Sequence, residues 1–253
     1  MEKSIFRTIL FYASIQLAFI SISSVAAKGP LDSLLIYACS SIILHFLLYL
    51  FLMKLRVNFY NQSTNTPLTK INLANRITLL RISCLPTIAF LLRHNEVAEI
   101  KTILPVLLGL VFLTDSFDGQ IARRKKQITR MGAMLDSTSD YILLGVISIV
   151  YYRHNIVPHW FFYVIILRLF LQGVGMLVFI ILKKPVAIKS TWGGKITIAT
   201  TMALYIIELI KLYVPSRLDV FFRIAEFTSG AIILLLCFEK GAIFIKQGLN
   251  KKD

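Results

Sequence analysis

Four aspartates stand in otherwise apolar surroundings within the stretch LTDSFDGQIARRKKQITRMGAMLDSTSDY. Asp115 and Asp118 are spaced i, i+3, and Asp136 and Asp140 are spaced i, i+4. Both spacings stack side chains on one face of a helix. An acid at the centre of a membrane helix costs about 2.5–3.5 kcal/mol even on the gentler insertion scale, and such acids are functional by default. Four carboxylates in one cleft repel unless cations neutralise them, and oxygen ligands of this kind suit Mg²⁺, Mn²⁺ or Ca²⁺. Two such ions would serve phosphoryl chemistry. Gly119 and Ala122 share the face of Asp115 and Asp118, and Gly132 lies one turn before Asp136. Glycine inside a helix costs roughly 1 kcal/mol against alanine, so a close approach of backbone to a ligand or a neighbouring helix is expected at these positions. Arg123 lies one turn beyond Gly119, where a guanidinium can pair with a phosphate.

These residues must be positioned by elements that live in a bilayer. The chain has 253 residues, 57% hydrophobic and only 16% charged, with a mean hydropathy of +0.73. Soluble domains carry about 25% charged residues. A spanning helix needs about 20 mostly apolar residues. By that rule eight segments are predicted, near 5–27, 33–53, 77–92, 102–122, 134–151, 159–182, 196–214 and 219–238. They are continuous runs without the alternation of a membrane barrel. The expected fold class is therefore all-α, a polytopic integral membrane protein. A polar stretch, 56–76, separates an N-terminal transmembrane hairpin (1–55) from a six-helix body (77–253). The hairpin reads as an added anchor or packing surface.

The short loop at 123–131 predicts that the two acid-bearing helices are antiparallel neighbours with their acidic faces opposed. With an even number of spans both termini share a side. Lys3, Arg7, Lys54, Arg56, Lys70, Arg76, Arg81 and the basic run 123–126 then fall on that side. Short loops rich in Lys and Arg stay cytoplasmic, so both termini and the acidic cleft are expected to face the cytoplasm. The net charge of +15 sits at membrane edges, where it meets anionic headgroups and substrate phosphates; no nucleic-acid partner is expected. Asn61-Gln62-Ser63 has the form of a glycosylation acceptor but lies on the same cytoplasmic side.

The pattern Asp-x₂-Asp-Gly-x₂-Ala-Arg-x₈-Gly-x₃-Asp-x₃-Asp, met by Asp115, Asp118, Gly119, Ala122, Arg123, Gly132, Asp136 and Asp140, resembles the signature of the CDP-alcohol phosphotransferase family. At roughly one in twenty per position, eight matches arise by chance on the order of once in 10⁸ such chains. The resemblance implies that Asp115, Asp118 and Asp136 hold metal, two ions of Mg²⁺ or Mn²⁺. Asp140 is the general base on the acceptor hydroxyl and can also touch metal. It also implies that Asp118, Gly119, Ala122 and Arg123 embrace the cytidine nucleotide, with Gly132 beside them, and that the enzyme forms a homodimer.

Asn75 and Thr78, with Arg81 and Pro86, resemble the N-x₂-T-x₂-R-x₄-P opening helix of phosphatidylglycerophosphate synthase-like members, so Asn75 and Thr78 are candidates for donor binding from a third helix. Gly194-Lys195-Ile196-Thr197 resembles their Gly-Lys-x-Lys-Thr run without its second lysine. Lys195 and Arg168, a charge inside the sixth apolar segment, are candidates for an acceptor phosphate. Around the last two acids this chain reads Asp136-Ser137-Thr138-Ser139-Asp140-Tyr141, where those synthases typically have Asp-Pro-x-Ala-Asp-Lys.

The expected activity is metal-dependent phosphatidyl transfer from CDP-diacylglycerol to a small alcohol, glycerol 3-phosphate in the first place, releasing CMP in phospholipid biosynthesis. Inositol or inositol phosphate as acceptor, a CDP-choline or CDP-ethanolamine donor with diacylglycerol as acceptor, and a non-enzymatic cation transporter stand as alternatives. Cys39, Cys84 and Cys237 have no metal-like spacing and read as inert thiols. Arg223 and Glu226, at i, i+3, read as a structural ion pair.

Overall fold

The computed structural model describes residues 1–62, 64, 66–181, 192–214 and 218–249. Helices dominate: α1 (Glu2–Ala26), α2 (Leu31–Lys54), α3 (Leu73–Ser83), α4 (Leu85–Arg93), α5 (Ala98–Arg124), α6 (Arg130–Arg153), α7 (His159–Ile181), α8 (Trp192–Lys211) and α9 (Asp219–Leu249). The strands among the described residues are β1 (Tyr60–Asn61) and β2 (Thr66–Pro67), an antiparallel pair. Seven membrane-length apolar helices are present among the described residues: α1, α2, α3 with α4, α5, α6, α8 and Asp219–Glu239 of α9. The described apolar part of the remaining one, His159–Val174, is shorter than a span. The protein is an all-α, polytopic integral membrane protein.

The third expected segment begins earlier than residue 77 and is broken. Asn72 caps α3 by accepting a hydrogen bond from the Asn75 amide at 2.9 Å, the usual service of asparagine at a helix start. The break falls at Cys84 because Pro86 has no N–H to continue the ladder and tolerates only the first turn of a new helix.

Two compact units divide the chain, residues 1–146 and 147–253. In the first, α3 and α4 lie at the centre, with Leu79, Ile88, Phe90 and Leu92 fully buried. The hairpin α1–α2 packs on them, and α5 packs along α3. Much of α2 turns outward, with Ile36, Ile43, Phe46 and Leu47 all exposed, as a lipid-facing helix requires. The hairpin also carries polar groups that meet the centre. Tyr12 Oη donates to the Arg76 carbonyl at 3.0 Å. Thr87 Oγ1 donates to Gln16 Oε1, and Gln16 Nε2 reaches Cys84 Sγ at 3.5 Å. Ser33 Oγ and His94 Nε2 lie 3.0 Å apart.

In the second unit α9 packs against α7 and α8. Gly230 lets Trp160 cross α9 closely, since a Cβ there would lie 2.6 Å from the indole. The expected Arg223–Glu226 pair is not the one formed. Lys211 Nζ binds Glu226 at 2.7 Å and Glu208 at 3.4 Å, while Arg223 is exposed. Glu226 is 4% exposed, and a buried carboxylate needs its cation from the packed side of the helix.

The hydrogen bond between Gln16 and Thr87 ties the hairpin to the central helices. In a double-mutant cycle of Gln16→Leu and Thr87→Val, followed by thermal unfolding in detergent, the pair should show a coupling of about 0.6–1.7 kcal/mol. A coupling of zero would mean that apolar packing alone holds the hairpin.

Candidate active site

The acid pairs project from α5 and from the first turns of α6, as their spacing requires. Carboxylate oxygens of Asp115, Asp118 and Asp136 lie within 4.8 Å of one another, a set that could hold a metal ion. Asp136 is half exposed and Asp115 partly so, whereas the Asp118 and Asp140 side chains are 4% and 9% exposed. The convergence is as expected, but its agent is not. A third helix supplies the group between the pairs: the guanidinium of Arg81, from α3, with 0% of its side chain exposed.

Arg81 Nη1 binds Asp115 Oδ1 and lies 3.3 Å from Asp140 Oδ1. Its Nη2 lies 3.3 Å from Asp136 Oδ1 and 3.6 Å from Asp118 Oδ2, and donates to Ser139 Oγ at 2.6 Å. Ser139 in turn donates to the Asp136 carbonyl at 2.8 Å. Ser139 stands where phosphatidylglycerophosphate synthases typically carry alanine, so this chain gives Arg81 an acceptor that alanine could not. Asp118 also accepts from Thr78 Oγ1 at 2.6 Å.

The turn between α5 and α6 is clasped by amides from the polar stretch 56–76 and from α3. Asn61 Nδ2 donates to the Lys126 carbonyl and Asn72 Nδ2 to the Gln127 carbonyl, both at 2.9 Å. Gln62 N donates to the Ile128 carbonyl at 2.9 Å, beside a bridge between Asn61 and Thr129. Thr129 Oγ1 accepts from Gly132 N at 2.9 Å, capping α6, and from Asn75 Nδ2 at 3.1 Å. The Asn61 amide is thus engaged by the turn beside the site; Ser63 of the glycosylation-like triplet lies outside the described residues.

Beside the acids lies a cavity of about 240 Å³. Asn75, Thr78, Asp118, Gly119, Ala122, Arg123 and Gly132, the residues predicted to embrace a nucleotide, all line it, and so does Asp136. Gly132 is required by the protein itself: a Cβ would lie 2.5 Å from Asn75 Oδ1 and 2.9 Å from Thr129 Oγ1. Gly119 is not. A Cβ there would meet the Arg123 guanidinium at an ordinary 3.5 Å, so packing alone does not explain the glycine.

The acceptor candidates belong to the second unit. Arg168 is 5% exposed and its Nη2 donates to the Gly194 carbonyl at 3.3 Å. Lys195 is exposed, its Nζ 5.9 Å from the Trp192 ring.

The sequence motif that includes Arg81 assigns it no chemical role. A usable signal existed: a charge inside the third apolar segment is as costly as the one at Arg168. The asparagine clasp had no such signal, because amides in a polar stretch look like solvated linker.

Residues 71–238 match the family described as CDP-alcohol phosphatidyltransferase. A protein of Mycobacterium tuberculosis named probable phosphatidylglycerophosphate synthase is 30% identical over 145 residues, 54% of this chain and 67% of that one. A CDP-diacylglycerol–glycerol-3-phosphate 3-phosphatidyltransferase of Rickettsia bellii is 32% identical over 138 residues, covering 54% and 75%. One of the same name from Bacillus subtilis is 30% identical over 126 residues, covering 42% and 65%. The match takes in both acid pairs, Arg81 and the helices that carry them, and with it the chain belongs to the CDP-alcohol phosphatidyltransferase family as a membrane-embedded transferase.

Proposed function

We propose that this protein transfers the phosphatidyl group of CDP-diacylglycerol to glycerol 3-phosphate and releases CMP, at the cytoplasmic end of its helices and as a homodimer. The observation that carries the reading is the union of two features. A three-carboxylate cluster within 4.8 Å shares Asp118 and Asp136 with a cavity lined by all seven residues of the nucleotide pattern. The names of the Rickettsia bellii and Bacillus subtilis relatives support this donor and acceptor.

Asp115, Asp118 and Asp136 would hold one or two divalent cations, Mg²⁺ or Mn²⁺, with Asp140 behind them. The donor set fits: with all four acids ionised, four carboxylates against one Arg81 guanidinium leave a formal charge of −3. Oxygen-only ligands are what hard cations take. When bound, the cations neutralise the donor's pyrophosphate and the departing CMP. The chain's own groups do the rest. Arg123, which lines the cavity, would pair with a nucleotide phosphate. Gly119 leaves room for the nucleotide against α5, which accounts for a glycine that packing does not need. The acceptor oxygen forms its bond to the phosphorus that bears diacylglycerol as the bond from that phosphorus to the bridging oxygen breaks, and CMP leaves with that oxygen. Asp140 takes the hydroxyl proton. Arg168 and Lys195 are assigned to the acceptor's phosphate.

Arg81 is a positioning residue in this scheme. It holds the carboxylates in register before cations arrive, where bare acids would repel.

Four outcomes test the reading. Purified protein given CDP-diacylglycerol and glycerol 3-phosphate should release CMP and form a product with the mass of phosphatidylglycerophosphate. Chelation should stop this and Mg²⁺ or Mn²⁺ restore it; turnover only with another acceptor, such as inositol, would displace glycerol 3-phosphate. Asp140→Asn should lower turnover by about 10²–10⁴-fold, the usual worth of a general base, while calorimetry shows CDP binding retained. Arg81→Gln should destabilise the metal-free protein by about 3–5 kcal/mol, the cost of breaking a buried ion pair. Added Mn²⁺ should raise the variant's melting temperature more than the wild type's, because a cation then supplies the lost neutralisation. An equal rise in both would remove the positioning role.

A further inference from the structure

We infer that the protein binds an anionic phospholipid at a second site, a basic pocket between the start of α1, the stretch after α2 and the start of α3. The pocket has a volume of about 760 Å³, within the range of about 300–1,000 Å³ typical of small-ligand sites. Its lining carries Lys3, Arg7, Arg56, Lys70 and Arg76. Glu2 is the acid among the described lining residues, and Arg56 already pairs with it. Four cations therefore remain around one concavity without a carboxylate in its lining to answer them. Such a site is built for a phosphate, and arginine forks are the best match to its oxygens.

The pocket's continuation selects a lipid over a free phosphate. An adjoining cavity of about 320 Å³ shares Arg7, Thr8 and Arg76 and adds Phe11 and Tyr12. Phe11 is 60% exposed on the outward face of α1, one turn further along the span than Arg7. A headgroup phosphate among the arginines would therefore lead directly to an acyl chain along an aromatic side chain. Tyr12 holds this wall in place through its hydrogen bond to the Arg76 carbonyl. The site lies apart from the catalytic cavity, with no lining residue in common. Of the lining residues only Arg76 falls within the family match at 71–238. The inference stands whether or not the proposed reaction is correct.

Native mass spectrometry of the purified full chain in mixed micelles of phosphatidylglycerol and phosphatidylcholine tests it. Wild type should retain phosphatidylglycerol in preference to phosphatidylcholine. The Arg7→Gln/Arg76→Gln variant should lose about 30-fold of that preference, two arginines at about 1 kcal/mol each and 1.4 kcal/mol per decade. An Arg93→Gln/Arg153→Gln variant, with the same loss of charge elsewhere, should keep it. Equal loss in both double variants would overturn the site in favour of diffuse attraction. Displacement of the lipid by millimolar inorganic phosphate would overturn it in favour of a soluble ligand. Both variants alter exposed side chains, and an Arg7→Lys/Arg76→Lys protein, which keeps the charge, should retain most of the preference.

Discussion

Carboxylates taken out of water are tolerated only where cations stand beside them, and the first half of this molecule is arranged around that need. Asp118 and Asp140 are nearly closed off from solvent, and Arg81 is wholly so. A guanidinium with five donors in a fixed plane can touch several acids at once. It therefore forces α3 to lie where both α5 and α6 can reach it. The helix that carries Arg81 is short, begun by the Asn72 cap and ended at Cys84 ahead of Pro86, and it packs under the hairpin and along α5.

The same constraint explains why the polar stretch 56–76 is more than a connection. A turn between two helices bearing four acids would be free to splay if only its own backbone held it. Asn61, Asn72 and Asn75 bind that turn at Lys126, Gln127 and Thr129, which fixes the register of α6 against α3. Gly132 then becomes obligatory, because the clasp brings Asn75 within Cβ range of the α6 backbone. The positions of the acids thus depend on supporting hydrogen bonds as much as on the helices that carry them.

The hairpin, outside the family match, meets the centre through a few polar contacts rather than through apolar area alone. In a bilayer, lipid tails compete equally well for apolar faces, so hydrogen bonds such as Gln16 with Thr87 add to close packing in holding helices together. Its end beside the start of α3 collects cations that the cavity next to the acids does not share. A membrane rich in anionic lipid supplies the natural counter-ions for such a surface.

Much was legible from the chain alone. Apolar run lengths determined the all-α membrane class, since backbone groups in lipid must pair within a helix. The Asp115–Asp140 pattern carried the resemblance to the family that the match bears out, and with Asn75 and Thr78 it picked out residues that line one cavity. Tertiary structure alone decided what stands between the acid pairs, which asparagines hold the turn, and that Lys211 rather than Arg223 answers Glu226. Those facts join residues 34 to 65 positions apart, or on different helices. Periodicity along one helix carries no information about which neighbour a buried charge will find across the packing; that choice belongs to the fold.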